Sequence, residues 1–333
     1  SMPRYEAWLD VARHHGLDSR IMGRAELDRV LPNSAGWLGA LTTPSDMRAE
    51  PAFAVPAIAR LAAAAGVTIR EHCAARALET TAGHISAVLT EAGAIRTDRV
   101  LLAGGAWSGL FAGNAGMILP QLSVRATVAA TEAMPEFWPG AAADPDVAFR
   151  RRADGGYTLA PGTAHDFWIG PAAFRHLRAY LPQIRRDLSQ TSLQPAAPRA
   201  YPDAWRTPRR WSADAASPFE AVRILSPDPN PARIDHLVKA FASAFPRIGR
   251  PRIRAAWAGM IDTMPDHVPV LDETPMPGFF VATGLSGHGF GIGPGVGRVM
   301  AAMIQGRAPR HDLTRFRFSR FSDGSPVTLG PDL

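Results

Sequence analysis

The feature that most constrains this fold is a run of glycines followed by an apolar helical pattern. Seven glycines lie between Gly284 and Gly297, in the stretch TGLSGHGFGIGPGVGRVMAAMI. Residues 278–284, GFFVATG, have the composition of a strand. Apolar residues then recur at helical spacing: Val296, Val299, Met300, Met303 and Ile304. The pattern predicts a strand, a glycine-rich loop and a helix with Pro294 in its first turn and Gly306 as its stop.

A glycine-rich loop exposes its main chain, because glycine has no Cβ to keep a ligand away. The helix start adds unpaired N–H groups and a partial positive charge. Together these features suit a phosphate, or the end of a ring that gains negative charge on reduction. The alternative is a turn needed only for close helix–sheet packing. Glycine at every second residue from Gly287 to Gly297 is more than a turn needs, and it favours a ligand.

Composition limits the class of protein. The chain has 333 residues and is 46% hydrophobic, which is enough for one large domain or two interleaved lobes. No segment has about 18 uninterrupted apolar residues, so no transmembrane helix is expected. Cys73 is the only cysteine, which excludes an intrachain disulfide, argues against a cysteine metal site and fits a reducing cytoplasm. We expect no metal.

The charge balance is basic but scattered. The net charge is +6, and Lys239 is the only lysine among 36 basic residues. No long basic run supports nucleic-acid binding, so no nucleic-acid partner is expected. The arginine surplus reflects genome composition in the first place, and it also fits a peripheral contact with a membrane or its quinone pool.

The remaining pattern predicts a mixed α/β (α+β) fold. Longer helices are expected over residues 52–66, 171–184 and 231–245, and shorter ones over residues 5–32. Residues 67–73 and 98–109 are expected to form strands, the latter buried, and a hairpin is expected to turn at Glu91–Gly93. Short strands between residues 115 and 250 predict an antiparallel sheet with helices laid on it. Residues 309–333 are expected to form an extended tail packed on the surface.

The stretch ATGLSGHGFGIGPGVGRVMAAMIQG resembles the C-terminal flavin-binding segment of the D-amino-acid oxidase-like family of FAD-dependent oxidoreductases. This family includes glycine oxidase, sarcosine oxidase and bacterial D-amino-acid dehydrogenases. RADGGYTLAPG resembles its substrate-domain strand, and DRVLLAGGAWSG its second flavin-contact strand. WAGMIDTMPDHVPVLDETPMPGFFVATG resembles the run into its final helix. The resemblance extends over nearly the whole chain.

The resemblance implies two lobes. A partial Rossmann-like FAD-binding lobe would comprise residues 49–112 and 251–308. A substrate lobe built on an antiparallel sheet would comprise residues 1–48 and 113–250, followed by the tail at 309–333.

One family motif does not occur in the sequence. The family begins with a strand, a Gly-x-Gly-x-x-Gly loop and a helix that grip the FAD pyrophosphate. No three glycines here have that spacing. The sequence therefore looks like a family member without its N-terminal βαβ unit, through a misplaced start at Met2, a truncation, or a partner chain that supplies the unit. We expect weak pyrophosphate binding and an exposed strand edge.

The resemblance also implies a reaction. A C–H next to the nitrogen of an amine or amino acid passes a hydride to flavin N5, and the imine product hydrolyses. The sequence contains neither a Gly-x-Ser-x-Gly nor a zinc-type histidine pair. The residues that match the family's FAD-contact segments are Gly104, Gly105, Ala106, Trp107, Gly284, Gly287, His288, Gly289, Phe290, Gly291, Ile292 and Gly293.

Candidates for catalysis or substrate capture are His288, Arg150 and His267. Several family members hold the substrate carboxylate with an arginine shortly before the Pro-Asp motif, where this chain has Met260–Ile261. Each candidate has a structural alternative: His288 as a loop cap, and Arg150 and His267 as surface or structural residues. Trp107 is either a core residue or a neighbour of the flavin. Asp266 is expected to cap a turn.

Two other hypotheses remain open. In the first, the chain is a non-catalytic or heteromeric subunit that docks to a partner. In the second, it is a remnant that folds and binds no cofactor.

Overall fold

The computed structural model describes residues 2–186 and 189–330, which form a mixed α/β fold as predicted. Over these residues the helices are α1 Met2–His14, α2 Arg24–Val30, α3 Pro51–Ala64, α4 Ser108–Asn114, α5 Pro171–Arg175, α6 Leu177–Arg186, α7 Pro218–Ala221, α8 Pro231–Ala244 and α9 Gly289–Ile304. The strands are β1 Arg20–Gly23, β2 Gly39–Thr42, β3 Ala75–Thr81, β4 His84–Thr90, β5 Gly93–Arg96, β6 Val100–Leu102, β7 Leu122–Thr131, β8 Ala141–Ala143, β9 Ala148–Arg151, β10 Tyr157–Ala160, β11 His165–Trp168, β12 Thr191–Gln194, β13 Ile253–Thr263, β14 Val270–Glu273 and β15 Phe279–Thr283.

The chain folds into two compact units. Unit 1 comprises the described residues of Ser1–Val67, Thr127–Ala164 and Asp228–Ala258, and unit 2 comprises the remainder. The chain passes between the units within β7 and within β13. The division into a flavin lobe and a substrate lobe stays a prediction.

Unit 1 is built on an antiparallel arrangement of short strands. The second half of β7 pairs with β10, β10 pairs with β9, and β9 pairs with β8. Apolar side chains of these strands and of α8 form an aromatic-rich core, with Phe149, Tyr157, Phe241 and Phe245 nearly inaccessible. Asn230 caps α8 by accepting a hydrogen bond from the amide of Ala232 at 3.0 Å.

Unit 2 contains three groups of strands. β3, β4 and β5 form an antiparallel meander whose second turn lies at the predicted hairpin. β11 pairs antiparallel with the first half of β7 and parallel with β12, so the expected sheet is not wholly antiparallel. β14, β15 and β6 form a third sheet, in which β15 is buried at every residue and runs parallel to β6.

Several predicted elements differ from the structure. Residues 67–73 do not form a strand, since no described strand offers their backbone a partner, and Val67 and Ile69 are about half exposed. The buried strand predicted at 98–109 is only the three residues of β6, where Leu101 is exposed. The helix predicted over 171–184 is divided at His176 into α5 and α6.

The C-terminal segment also differs from the expected extended tail. It contains two 3₁₀ turns, Thr314–Phe316 and Phe318–Phe321. Arg320 is buried and forms a bidentate ion pair with Asp266, at 2.8 and 3.0 Å. This pair anchors the segment within unit 2.

The described residues contain neither a helix that could span a membrane nor a cluster of metal-binding side chains. No helix in residues 2–186 and 189–330 is long and apolar enough to cross a bilayer. In the same ranges, no group of three or more His, Cys, Asp or Glu side chains is arranged to hold a metal ion.

Candidate functional site

Two of the sequence segments predicted to contact a cofactor meet at one edge of a sheet. Parallel pairing sets Phe279 opposite Val100 and Val281 opposite Leu102. The carboxyl ends of β6 and β15 therefore point the same way, and the segments beginning at Gly104 and Gly284 leave the sheet side by side. In open α/β sheets, ligands bind at the carboxyl ends of parallel strands.

A buried polar network joins these two segments. The Gln121 side-chain amide donates to the Gly105 carbonyl at 3.1 Å, to the Thr283 hydroxyl at 2.8 Å and to Asp262 Oδ2 at 3.2 Å. Gln121 Oε1 accepts from the Gly109 amide at 2.7 Å. The network therefore fixes the turn after β6 relative to the end of β15.

Asp262 is the charged centre of this network. Its Oδ2 accepts hydrogen bonds from the Gly284 amide at 2.6 Å and from the Thr283 hydroxyl at 3.0 Å. Its main-chain oxygen accepts from the Ser286 amide at 3.1 Å. Because these bonds involve a carboxylate that is only 9% exposed, they are charge-assisted and largely shielded from water.

The glycine-rich loop is shorter than predicted. α9 begins at Gly289 rather than near Pro294, so Gly289, Phe290, Gly291, Ile292 and Gly293 belong to the first turns of the helix. The connecting loop is only residues 284–288. A Cβ on Gly291, Gly293, Gly295 or Gly297 would meet nothing within 4 Å. The main chain is therefore open on two sides of the helix, with Gly291 and Gly295 on one side and Gly293 and Gly297 on the other.

The loop amides divide into two groups. The amides of Ser286 and His288 donate to the carbonyls of Asp262 and Leu285. Among the described residues, the amides of Gly287, Gly289 and Phe290 have no hydrogen-bond acceptor. Three N–H groups at the exposed start of a long helix make a site for an electron-rich group.

The segment after β6 provides a second surface. Gly105 adopts φ +53° within a 3₁₀ turn that spans Gly105–Trp107. Trp107 is half-buried and packs edge-on against Phe219, with ring centroids 5.2 Å apart. Trp107 and the exposed Gly104 line one cavity of about 620 Å³, whereas Ala106 lines another of about 360 Å³.

Two of the three catalytic candidates lie in unit 2 and share an electrostatic environment. His288 precedes α9 and is exposed, and its side chain does not cap the helix. His267 lies in a turn at φ +59°. Partial dehydration of its ring lowers the pKa of His267, the positive charge of Arg186 lowers it further, and the carboxylate of Asp266 acts in the opposite direction. The net shift favours the neutral form of His267.

The third candidate, Arg150, lies in unit 1 on β9. It contacts Glu50 at 3.6 Å and the Thr158 hydroxyl at 3.4 Å. Its Nη1 is buried and has no hydrogen-bond acceptor among the described residues. Asp266 caps the turn before Val268, as expected, with its Oδ1 accepting from the Val268 amide at 3.1 Å.

Sequence reasoning missed the residues that hold the site together. Gln121, Asp262 and Thr283 are separated by as many as 162 positions, and no short motif contains them. The only available signal was that Asp262 precedes the Pro-Asp motif inside an apolar run, where an acidic residue must find a partner.

Comparison with known proteins identifies the family of this chain. Residues 1–303 match the family described as FAD dependent oxidoreductase. The solved structure of L-amino acid deaminase from Proteus myxofaciens in complex with anthranilate has a TM-score of 0.90 and 30% identity, over 97% of this chain and 73% of that one.

Curated relatives match at lower identity or over shorter stretches. D-amino acid dehydrogenase of Bradyrhizobium diazoefficiens is 22% identical over 96% of this chain and 66% of its own length. Sarcosine oxidase subunit beta of Rhizobium meliloti is 30% identical over 28% of this chain and 23% of its own length. The chain thus spans less than two thirds of the curated relatives it matches. The chain belongs to the FAD dependent oxidoreductase family, whose cofactor is FAD.

Proposed function

We propose that the protein oxidises the C–N bond of an amino acid or a secondary amine, by hydride transfer to flavin N5. The observation that carries the proposal is the meeting of two glycine segments at the carboxyl ends of β6 and β15, tied by Asp262 and Gln121. The relatives named for D-amino acid dehydrogenation and L-amino acid deamination support this substrate class.

The residues present fit a flavin ring. Unpaired amides at Gly287, Gly289 and Phe290 would donate to the pyrimidine carbonyl of the isoalloxazine, where negative charge develops on reduction. The open main chain at Gly291 and Gly295, which lie on one side of α9, allows a flat ring to approach. Gly104, Gly105, Ala106 and Trp107 would contact the same cofactor from the turn after β6.

FAD, when bound, accepts the hydride from the carbon next to the substrate nitrogen. The substrate nitrogen must be unprotonated for this transfer, because its lone pair assists the departure of the hydride from the neighbouring carbon. We propose His267 as the group that accepts this proton: its lowered pKa favours the unprotonated ring that can accept one, and it also makes the ring a weaker base. His288, which lies in the same electrostatic environment, would bind the substrate or the edge of the ring.

Arg150 remains a candidate for binding a carboxylate, because its buried Nη1 has no hydrogen-bond acceptor among the described residues and Glu50 lies 3.6 Å away. Arg150 belongs to unit 1 and the glycine segments belong to unit 2, so this role is proposed for Arg150 by itself.

The test is cofactor retention followed by reduction. The purified chain is incubated with FAD, passed over a desalting column and mixed without oxygen with a panel of D- and L-amino acids and N-methyl amino acids. We expect retained flavin absorbance that one substrate class bleaches. Gly287→Val should abolish retention, whereas Gly324→Val should preserve it, since Gly324 is an exposed glycine that also has a positive φ. Retention that is equal in both variants would contradict the proposed site.

A second candidate is a subunit that works only with a partner chain. The match to a protein named sarcosine oxidase subunit beta favours it. In that case the isolated chain would lose FAD on the column and would retain it after a second polypeptide is added. Light scattering with and without lysate fractions that restore the flavin absorbance distinguishes the two candidates.

A further inference from the structure

The positive charge of the chain is concentrated in one segment of unit 2. Residues 170–210 contain eight arginines and two aspartates and no other charged side chain except histidine, which gives a net charge of +6. The formal net charge of the whole chain is also +6, so the remaining residues balance to zero. Genome composition alone would have spread the arginine excess along the sequence.

The same segment exposes large apolar side chains. Phe174 is 63% exposed, Leu177 48% and Trp205 54%. The rings of Phe174 and Trp205 contact each other, with centroids 6.0 Å apart, and Leu177 follows three residues after Phe174 at the start of α6. The Trp205 ring nitrogen donates to the Ile169 carbonyl at 3.1 Å, which fixes its orientation.

Three exposed arginines, Arg175, Arg178 and Arg206, accompany this patch. Two of them are the chain neighbours of Phe174 and Trp205. Among residues 2–186 and 189–330, no carboxylate lies within ion-pair distance of these three guanidinium groups. Arg209, by contrast, is paired with Asp203 at 3.1 Å. The patch therefore combines exposed apolar surface with guanidinium groups that form no ion pair with a described carboxylate.

We propose that this apolar–arginine patch, formed by Phe174, Leu177, Trp205, Arg175, Arg178 and Arg206, docks on an anionic lipid membrane. Amphipathic helical segments with aromatic and aliphatic residues beside arginines bind at the boundary between headgroups and acyl chains. The arginines supply attraction to anionic headgroups, which decays within a Debye length. Leu177 favours lipid over a nucleic acid, since an aliphatic side chain gives bases no stacking surface.

The test is co-sedimentation of the purified chain with vesicles. Phosphatidylcholine vesicles that contain about 30% phosphatidylglycerol should bind the protein, and pure phosphatidylcholine vesicles should bind it much more weakly. The triple variant Arg175→Gln/Arg178→Gln/Arg206→Gln should bind the anionic vesicles on the order of 100-fold more weakly, because each arginine contributes about fivefold to the partition coefficient. The triple variant Phe174→Ser/Leu177→Ser/Trp205→Ser should lose binding at least tenfold.

Matched controls lie outside the patch. Leu38→Ser/Met47→Ser replaces apolar residues that are 80% and 96% exposed, and Arg307→Gln/Arg310→Gln replaces exposed arginines. These variants should bind like the wild type. Equal loss in patch and control variants, no binding to anionic vesicles, or tighter binding to single-stranded nucleic acid than to vesicles would each overturn the proposal.

Tryptophan fluorescence of the wild-type chain gives a readout that does not depend on the folding of the triple variants. Trp205 fluorescence should shift to the blue and be quenched by brominated lipid when vesicles are added to the wild-type chain. The difference between the wild type and Trp205→Phe isolates this signal from the other tryptophans. Quenching that is equal in both proteins would place another tryptophan, and not the patch, in the membrane.

Discussion

Asp262 is the residue on which the candidate site depends most. Its Oδ2 accepts from a main-chain amide, a hydroxyl and a side-chain amide, which belong to Gly284, Thr283 and Gln121. No arginine or lysine pairs with this carboxylate among the described residues, so neutral donors alone stabilise its charge. Such an arrangement is rigid, because each donor would be left unsatisfied if it moved away.

Replacing Asp262 with Asn tests this role. The variant keeps the shape and removes the charge, so the three donors lose their charge-assisted acceptor. We expect a loss of about 1–3 kcal/mol in the free energy of unfolding and weaker FAD binding, measured by urea denaturation and by flavin fluorescence titration. The control is Asp28→Asn, which removes only an exposed ion pair with Arg24. FAD affinity that matches the control would contradict a positioning role for Asp262.

His176 gives a prediction about pH. Burial lowers the pKa of His176 to about 4, and the positive charge of Arg175 acts in the same direction. Below pH 6.5 the unfolded chain takes up a proton that the folded chain refuses until about pH 4, so this residue makes the protein less stable as the pH falls. The ring is partly solvated, so we expect a loss of roughly 1–2 kcal/mol rather than the full linkage value.

The measurement is thermal unfolding of wild type and His176→Gln between pH 8 and pH 4. The two proteins should have similar slopes above pH 7, and the wild type should lose more stability than the variant as the pH falls. Parallel profiles throughout would mean that His176 titrates normally in the folded protein.

At the scale of elements, α9 is a helix that its own sequence disfavours. It contains five glycines between Gly289 and Gly297, and Pro294 is its sixth residue. Each interior glycine costs about 1 kcal/mol relative to alanine, and an interior proline removes a main-chain hydrogen bond. Burial of Val299 and Met300 against β14 and β15 offsets this cost at the C-terminal half of the helix. A helix selected for stability alone would not keep glycine on an open face.

Alanine substitutions in α9 separate stability from cofactor binding. A Cβ at Gly291 or Gly297 would meet nothing within 4 Å, so each Gly→Ala variant should raise the free energy of unfolding of the FAD-free chain by about 0.5–1 kcal/mol. Only Gly291→Ala, near the open amides, should weaken FAD binding. Urea denaturation and flavin titration give the two quantities. A Gly291→Ala variant that gains stability and keeps its FAD affinity would remove the reason for placing a ligand at this face.

At the scale of the whole molecule, the structure shows which features a sequence pattern can and cannot predict. β15, the hairpin of β4 and β5, and the helices α3 and α8 follow from local periodicity and turn residues, and all were predicted. The start of α9 was not, because glycines have low helix propensity and their pattern resembles a loop. Residues 67–73 were predicted as a strand from their β-branched residues, but a strand also needs a partner, which local composition cannot reveal.

The site shows the same limit. The glycine segments were recognisable because each is contiguous. The Asp262–Gln121 contact spans 141 positions, and it joins two strands that pair in the fold, since Gln121 directly precedes β7 and Asp262 lies in β13. Local patterns thus predicted the surfaces that would meet a ligand, whereas tertiary structure determined what holds them in place.

Hydrogen exchange over the whole chain tests whether the two segments act together. The amides of Gly287, Gly289 and Phe290 have no acceptor in the part of the chain that the structure describes, so they should exchange rapidly in the FAD-free protein. FAD should slow exchange in two peptides, one around residues 100–108 and one around residues 284–293, and leave α8 in the core of unit 1 unchanged. Because the Asp262–Gln121 network joins the segments, Asp262→Asn should reduce protection in both peptides at once. Protection lost from only one of them would show that the segments bind the cofactor independently, and that the network serves folding rather than the site.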